Sequence, residues 1–403
     1  MQLKFYFMLS LFLFFIPASA WSASQLEVLE ERIRALENEK KDSSSEKKEE
    51  NTDTASGNDR SQNFWKYDNS TQSTSTATGI SRRFNPAISV NGLFLGTYNS
   101  AGNYDATKSD RTGLKVQEAE VQLTSSIDNW LTGNVVLSIE GTTGIEIEEI
   151  ITEALLTRNL NLRAGKFFVP FGKHNQLHTH AYAFIDRPVI NQEIFGEEGL
   201  NEQGIGFSYL IPVDWFSQLT FQVLEGNNPL QFNGPAGSDF AYLIRENNFW
   251  DMNDETTLEL GGTYVYGKNS LAGPSDFDNE THLAGMDLTL KWQPAGRENY
   301  KTFIWQTEIM GSFREQTQEG WYTQVQHQFA KEWWIQGRYS GYKIANGPNR
   351  QDKNQWSALL AWESSEFSAI RLQYNHLNQA ATDEDQVLLQ LNFTLGSHPA
   401  HNY

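Results

Sequence analysis

The sequence predicts an all-β protein, a transmembrane antiparallel β-barrel of about 16 strands with a short amino-terminal helix and a linker before it. Three observations support this fold class. Apolar and polar residues alternate from about residue 85 to the carboxyl end, short and long connections alternate between the predicted strands, and aromatic residues make up 13% of the chain. A membrane barrel needs all three features, whereas a soluble β-sandwich has no reason to alternate its connection lengths.

Residues 1–20 have the pattern of a signal peptide. Lys4 precedes an apolar run that is too short for a comfortable membrane helix, and Ala18-Ser19-Ala20 supplies the small residues that a signal peptidase needs. We expect cleavage after Ala20 and export to the outer membrane of a Gram-negative cell. The net charge of −19 argues against nucleic acid as a partner.

Residues 21–42 predict a short helix with a coiled-coil-like seam, because Leu26, Leu29, Ile33 and Leu36 follow a spacing of three, four and three. Two interpretations stay open, an oligomerising coil or a lone amphipathic turn, since two heptads are marginal by themselves. Residues 43–84 are rich in charged residues, Ser and Thr, which predicts a disordered polar linker.

Residues 85–403 predict the barrel. Its strands are placed, in order, near residues 88–98, 113–126, 130–141, 147–157, 160–168, 203–211, 216–224, 240–251, 256–266, 281–293, 300–313, 320–329, 332–342, 355–363, 367–376 and 386–396. An even number of strands is expected of a bacterial barrel and returns both chain ends to the periplasmic side. A barrel of this size leaves an aqueous lumen.

The same alternation predicts which polar residues face the lumen. On the second strand, for example, Ala119 and Val121 would face outer-membrane lipid while Glu118 and Glu120 face water. The other charged residues predicted to face inward are Glu140, Glu149, Glu153, Arg163, Arg245, Glu308, Arg338 and Arg371. Carboxylates and arginines on different arcs would set a field across the pore.

The longest connection, residues 169–203, is the predicted pore constriction. Its apolar residues, among them Tyr182, Phe184 and Ile194, need burial, and folding inward against the barrel wall supplies it. We expect Asp186 and Arg187 to pair and hold the loop. Its far half is acidic, which favours cations over anions; the acids are Glu193, Glu197, Glu198 and Glu202.

Histidines raise the question of a metal site. His174, His178 and His180 fall in the long connection, and His398 and His401 in the carboxyl-terminal tail. Neutral imidazoles suit zinc or copper. The alternative, histidines that hydrogen bond to loop carbonyls and carboxylates, stays open, and we expect no other cofactor. The chain ends on Tyr403, a terminal aromatic that fits the signal for the barrel-assembly machinery.

From about residue 85 onward the chain resembles bacterial outer-membrane porins of the phosphate-selective O/P type, close to the branch labelled zinc-regulated outer-membrane proteins or TonB-dependent receptors. The resemblance is carried by LRAGKFFVPFGKHNQLHTHAYAFIDRPVINQEIFGEEGLNEQGI, FWDMNDETTLELGGTYVYG, LTLKWQPAGRENYKTFIWQTE and HPAHNY. It implies a sixteen-stranded homotrimeric porin whose third loop enters the lumen, an amino-terminal coil and a link to metal supply.

Two departures limit what the resemblance implies. Phosphate selectivity in that family depends on lysine and arginine clusters, whereas this loop is acidic. Phosphate selectivity is therefore not expected of this chain. A TonB-driven receptor needs about 22 strands and a folded plug, which the short polar segment before residue 85 does not supply.

Three functions remain. The first is a passive channel for small hydrophilic solutes or ions, tolerant of cations and without enzymatic activity. The second is zinc or copper binding or uptake at the outer membrane. The third is a hydrolase at the membrane face, with His178 and Asp186 as a dyad, although no serine has a nucleophile context.

Overall fold

The computed structural model describes residues 86–100, 112–140, 144–271, 279–296, 300–344, 352–379 and 382–396. The predicted signal peptide, coil and linker lie outside this part of the chain, as do His398, His401 and Tyr403. Within it, no helix combines the length and the apolar character needed to cross a membrane.

The described residues form one closed antiparallel barrel of 16 strands. Each strand pairs with its neighbours in sequence, and β1 closes the barrel against β16. The strands are β1 (Ala87–Asn99), β2 (Gly113–Ser126), β3 (Leu131–Glu140), β4 (Gly144–Leu155), β5 (Leu160–Phe168), β6 (Asn201–Leu210), β7 (Phe216–Leu224), β8 (Ala241–Asn253), β9 (Thr256–Lys268), β10 (Glu280–Trp292), β11 (Phe303–Phe313), β12 (Gln318–Ala330), β13 (Trp333–Ile344), β14 (Asp352–Ser365), β15 (Ser368–Gln379) and β16 (Thr382–Gly396). The predicted fold class and strand order are confirmed.

The barrel wall is apolar outside and polar inside. On β16 the apolar residues Leu389 and Leu391 are 52% and 42% exposed, while Gln390 between them is fully buried. On β15, Leu372 is 47% exposed beside the buried Arg371 and Gln373. A soluble protein shows the reverse pattern, so the outer surface requires an apolar solvent such as lipid tails.

Several strands extend further than the sequence predicts. The connections between β11 and β12 and between β15 and β16 are short, because β12 begins at Gln318 and β16 at Thr382. Beyond the apolar band both faces of a strand are wet, so alternation no longer marks the strand there. The apolar–polar alternation therefore does not predict the strand ends that lie outside the apolar band.

The connection between β5 and β6, residues 169–200, lies inside the barrel and is called loop 3 below. It contains two 3₁₀ turns, His174–Gln176 and Thr179–Ala181, and one short helix, α1 (Val189–Phe195). Its apolar residues join wall residues in two buried clusters. The loop members of these clusters are Val169, Phe171, Phe184, Ile185, Val189, Ile190, Ile194, Phe195 and Leu200.

Candidate functional site

Loop 3 crosses the interior from one wall to the other. It leaves β5, and α1 then packs against β12, β13 and β14. In the 16-strand ring, β13 lies diametrically opposite β5. Burial of Ile190 and Ile194 in α1, both fully inaccessible to water, holds this crossing in place.

Asp186 is the main polar anchor of loop 3 on the far wall. Its carboxylate accepts hydrogen bonds from three strands. The donors are Arg338 at 2.5 Å, Gln355 at 2.8 Å, Gln373 at 2.6 Å and Asn375 at 3.0 Å. Arg338 also donates to the Asp186 backbone carbonyl at 2.9 Å. The expected pairing of Asp186 with Arg187 is therefore wrong: the Arg187 guanidinium lies 5.5 Å from the centre of the Tyr182 ring.

Further bonds fix the first half of loop 3 to β15 and β16. Arg371 donates to the Tyr182 carbonyl at 2.6 Å, and Asn392 donates to the His180 carbonyl at 3.0 Å. The backbone N–H of Ile185 donates to Gln373 at 2.6 Å. All three bonds use backbone groups of loop 3, so they depend on the path of the loop backbone more than on the loop side chains.

Asn175 ties the two ends of loop 3 together. Its side-chain amide donates to the carbonyls of Val169, at 2.8 Å, and Leu200, at 3.0 Å, and accepts the backbone N–H of Leu200 at 2.9 Å. The residue is buried. Sequence reasoning missed Asn175, because a single asparagine in a long loop carries no signal of what it contacts.

Glu308 on β11 anchors the start of loop 3. One of its oxygens accepts the backbone N–H groups of Lys173 at 2.8 Å and His174 at 2.7 Å, and the Tyr322 hydroxyl at 2.7 Å. Gly172 makes the close approach with a φ of 65°, where a Cβ would meet this carboxylate. Glu308 is thus a structural anchor as well as an inward-facing acid.

His174 lies beside this anchor and apart from the other two loop histidines. Its ring centre is 4.5 Å from that of Tyr182. Burial lowers the pKa of His174 well below its ordinary value, and the positive charges of Arg187 and Arg338 lower it further. A neutral, buried imidazole fits a packing role here.

His178 and His180 lie together against β2 and β4. The His178 Nδ1 atom is 3.1 Å from Glu148 Oε2 and 3.4 Å from Glu120 Oε2, and its Nε2 atom is 3.3 Å from Glu149 Oε2. His180 Nδ1 is 3.0 Å from the same Glu120 oxygen. We call these five residues the His178 cluster. Burial alone lowers the pKa of His178, but the hydrogen bonds to Glu148 and Glu149 outweigh it and raise the pKa well above its ordinary value.

Two predicted arrangements of the histidines are therefore wrong. His174 does not join His178 and His180 in one site, because it packs between Tyr182 and Tyr322 instead. His178 and Asp186 do not form a dyad, because His178 contacts β2 and β4 while Asp186 is bonded to β13, β14 and β15. Glu148, which completes the cluster, was not among the predicted site residues.

A second connection also enters the barrel. Residues 225–240, called loop 4, connect β7 and β8, and Gln231 and Phe232 within them are fully buried. Gln231 donates to the carbonyl of Ile194 at 2.7 Å, and Asn228 donates to that of Phe195 at 3.0 Å. Loop 4 thus packs on the end of α1 and narrows the same cross-section.

Glu202 supports loop 4 and does not lie in loop 3. It belongs to β6 and accepts the consecutive backbone N–H groups of Gly226, Asn227 and Asn228 at 3.1, 3.0 and 2.7 Å. Successive N–H groups form a natural anion nest. The predicted role of Glu202 as a constriction acid is replaced by this capping role.

Other predicted residues form pairs on the wall. Arg163 bonds to Glu153 at 2.6 Å, and Arg245 binds Asp287 through two bonds of 2.7 and 3.0 Å. Glu118 accepts the Ser138 hydroxyl at 2.9 Å. In loop 3, Glu193 is bonded to Lys353.

Four acidic side chains stay exposed where loop 3 rejoins the rim of β3 and β4; they are Glu140, Glu146, Glu197 and Glu198. The Glu198 carboxyl is partly screened from water by its neighbours; this partial burial raises its pKa, and the charges of Glu140 and Glu146 raise it further. These carboxylates are thus close enough to repel one another. We call them the acidic rim.

No family model matches the chain. An uncharacterized protein of Aquifex aeolicus (strain VF5) is 26% identical over 352 residues, which cover 76% of this chain and 73% of the relative. The anion-selective porin from Comamonas acidovorans superposes with a TM-score of 0.55 at 12% identity, covering 77% of this chain and 100% of the porin. OmpT of Vibrio cholerae, an outer membrane protein solved in a trimer form, gives 0.52 at 9% identity, covering 77% of this chain and 100% of OmpT. The chain thus has the fold of outer-membrane barrels, and the phosphate-selective resemblance stays a prediction.

Proposed function

We propose that this protein is an outer-membrane porin through which small hydrophilic solutes or ions diffuse passively past a constriction made by loop 3. The observation that carries the proposal is the barrel with an apolar outside and a polar inside, crossed by a loop that is hydrogen bonded to the opposite wall. Anchored to both walls, loop 3 restricts the lumen without sealing a dry core. The proposal assigns no catalytic residue.

The acidic rim makes cations the preferred ions. Its exposed carboxylates lie at the edge of loop 3, whereas Arg163, Arg245 and Arg338 are each bonded to a carboxylate. Clustered carboxylates at the rim of a pore attract cations and repel anions. The Comamonas porin of similar fold is anion-selective; selectivity on this architecture follows from the side chains at the constriction rather than from the fold.

The remaining organisation follows from the same proposal. Residues 1–20 direct export, residues 21–42 form a short coil, residues 43–84 link it to the barrel, and the barrel-assembly machinery inserts the carboxyl-terminal domain. A homotrimer is favoured because OmpT of similar fold has a trimer form and because a coil tethered to an oligomeric barrel has a raised local concentration.

Planar-bilayer recording tests the channel. Purified protein should give discrete conductance steps, and a potassium chloride gradient should give a reversal potential of the sign expected for cations. A Glu197→Gln, Glu198→Gln variant should move that potential toward zero. The matched control, Asp254→Asn with Glu366→Gln, removes two charges from exposed turns and should leave it unchanged. Folded protein that gives no steps would overturn the proposal.

A further inference from the structure

We propose that His178, Glu120 and Glu148 form a binding site for a divalent transition-metal cation, with zinc the best match to the donor set. Each residue offers one donor atom, and the three atoms lie within 4.8 Å of one another. One imidazole nitrogen and carboxylate oxygens suit zinc, whereas calcium and magnesium prefer sites made of oxygen alone.

The distances match tetrahedral zinc. Bonds of about 2.0–2.2 Å in a tetrahedron place two ligand atoms about 3.3–3.6 Å apart. The His178 Nδ1 atom is 3.1 Å from Glu148 Oε2 and 3.4 Å from Glu120 Oε2. Two of the three ligand–ligand distances are therefore close to those of a zinc site. The third, between the Glu120 and Glu148 oxygens, is at most 4.8 Å and shortens when one carboxylate rotates. A fourth position is left for water or for a solute.

A β-bulge places the ligands. Across β3 and β4, Val136 pairs with Glu149 and Leu137 with Ile147, so Glu148 is the extra residue. In a regular strand Glu148 and Glu149 would point to opposite faces. The bulge lets both reach one imidazole, at 3.1 Å on Nδ1 and 3.3 Å on Nε2. Bulges commonly re-aim side chains in this way beside functional sites.

The surrounding groups orient the ligands as in a metal site. With the metal on Nδ1, the Nε2–H of His178 donates to Glu149, the carboxylate–histidine–metal arrangement that fixes ring orientation. Glu149 is itself held by the backbone N–H of Phe168 at 3.1 Å. The His180 Nδ1 atom is 3.0 Å from Glu120 Oε2. The His180 ring is stacked on the His178 ring, with ring centres 5.8 Å apart.

The net negative charge of the His178 cluster also favours binding of a cation. Three carboxylates, those of Glu120, Glu148 and Glu149, contact the imidazoles of His178 and His180, and the charges of Glu120 and Glu148 also act on a fourth carboxyl, that of Glu118. The group stays negative even with both imidazoles protonated. Arg163, whose charge also acts on Glu149, is bonded to Glu153. The side chains of His178 and Glu148 are 18% and 13% exposed, so a hydrated ion can reach them.

Zinc titration tests the site directly. The protein is the folded full chain in detergent, carrying His398→Gln and His401→Gln so that the tail contributes no imidazole. Calorimetry with zinc chloride should show about one ion per chain. His178→Gln should abolish this binding, Glu148→Gln should weaken it by at least about ten-fold, and Glu149→Gln should weaken it by about ten-fold or more.

The matched control is His327→Gln. His327 lies on β12, with its Nδ1 atom 3.3 Å from the carbonyl oxygen of Thr302, whereas the His178 cluster lies against β2 and β4. This variant should bind zinc like the parent. Heat-modifiability on a gel confirms that each variant is folded. Cobalt(II) gives a second measurement, because a four-coordinate site produces intense visible bands that the hydrated ion lacks.

Two results would overturn the site: a parent chain that binds no zinc, or His178→Gln and Glu148→Gln variants that bind it with the parent's affinity, which would show adventitious binding only. Neither result depends on conductance, because the titration is done in detergent. A barrel that binds zinc but gives no current steps would support the metal site and contradict the porin proposal. A barrel that gives current steps but binds no zinc would support the porin proposal and contradict the metal site.

Discussion

At the scale of single residues, Asp186 shows how one carboxylate can position a whole loop. Its partner Arg338 is almost fully buried, with a side chain 1% exposed, while the Asp186 side chain is 29% exposed. An Asp186→Asn change keeps the shape but leaves the buried guanidinium without its counter-charge. We expect a loss of roughly 2 kcal/mol in the free energy of unfolding, an amount typical of a hydrogen bond to a charged group. Urea titration of the detergent-solubilised barrel measures this.

The same change should loosen loop 3, so single-channel records should show more current fluctuation. Asp254→Asn, in the exposed turn after β8, is the matched control and should cost less than about 0.5 kcal/mol. An Asp186→Asn barrel as stable and as quiet as the parent would show that α1 and its apolar contacts hold the loop unaided.

His174 makes stability depend on pH in a defined direction. Its folded-state pKa is depressed, so below the unfolded value of about 6.5 the unfolded chain binds a proton that the folded chain does not. The stability that the neutral ring contributes is therefore complete above pH 6.5 and is lost as the pH falls. Between pH 6.5 and pH 5 this amounts to at most about 2 kcal/mol.

The measurement is the difference between the parent and His174→Gln in urea midpoints at both pH values. The parent should lose more stability on acidification than the variant, because the glutamine does not titrate. His327→Gln serves as the control for replacing any histidine and should keep the parent's slope. Equal slopes in the parent and His174→Gln would mean that the ring is protonated in the folded state.

At the scale of elements, the strands were predictable and their contacts were not. The alternation of apolar and polar residues predicts both β15 and β16, because every second residue of a membrane-barrel strand faces lipid. Nothing local tells that Asp186 meets Arg338, which is 152 positions away. An acid beside an arginine in sequence suggested the pair Asp186–Arg187, and only the closed barrel brings the true partner across the lumen.

The bulge in β4 was hidden for a similar reason. The run Glu146 to Ile151 contains two adjacent glutamates, which break the alternation, and the pattern alone does not say which of them is the extra residue. The sequence does not predict the inward course of loop 4, because its two prolines and three glycines are typical of an exposed connection. The burial of Phe232 depends on contacts with loop 3 and the wall, which are distant in sequence and which no local pattern describes.

Loop 3 can be separated from the barrel as an element. The strands carry their own hydrogen-bond ladders, including β5 with β6 directly below the loop. Replacing residues 177–195 by a short Gly-Ser linker should therefore leave a folded, heat-modifiable barrel with a larger single-channel conductance. Unchanged conductance would assign the narrowest point to loop 4 or to the wall. All four residues of the acidic rim lie outside the replaced segment, so the preference for cations should remain.

At the scale of the whole molecule, the barrel buries polar side chains and exposes apolar ones, a distribution that a soluble fold does not have. Its polar side chains, such as Gln390 and Asn375, are buried, while leucines cover the outside. The interior and the outer surface of the barrel thus have the reverse of the polarity that core and surface have in a soluble protein. The two inward loops add buried apolar clusters inside this polar wall.

A depth series along β16 tests this arrangement. Arginine is placed in turn at Val387, Leu389, Leu391, Phe393 and Leu395, which all lie on the exposed face of one strand. The cost in unfolding free energy should be about 2–4 kcal/mol at the middle positions and should fall to about 0–1 kcal/mol toward the ends, because the charge is dehydrated most at the bilayer midplane. Reversible urea unfolding from phospholipid vesicles gives these values. A flat profile would mean that water surrounds the strand along its whole length, and the lipid-embedded barrel, the constriction and the channel would then lose their common basis.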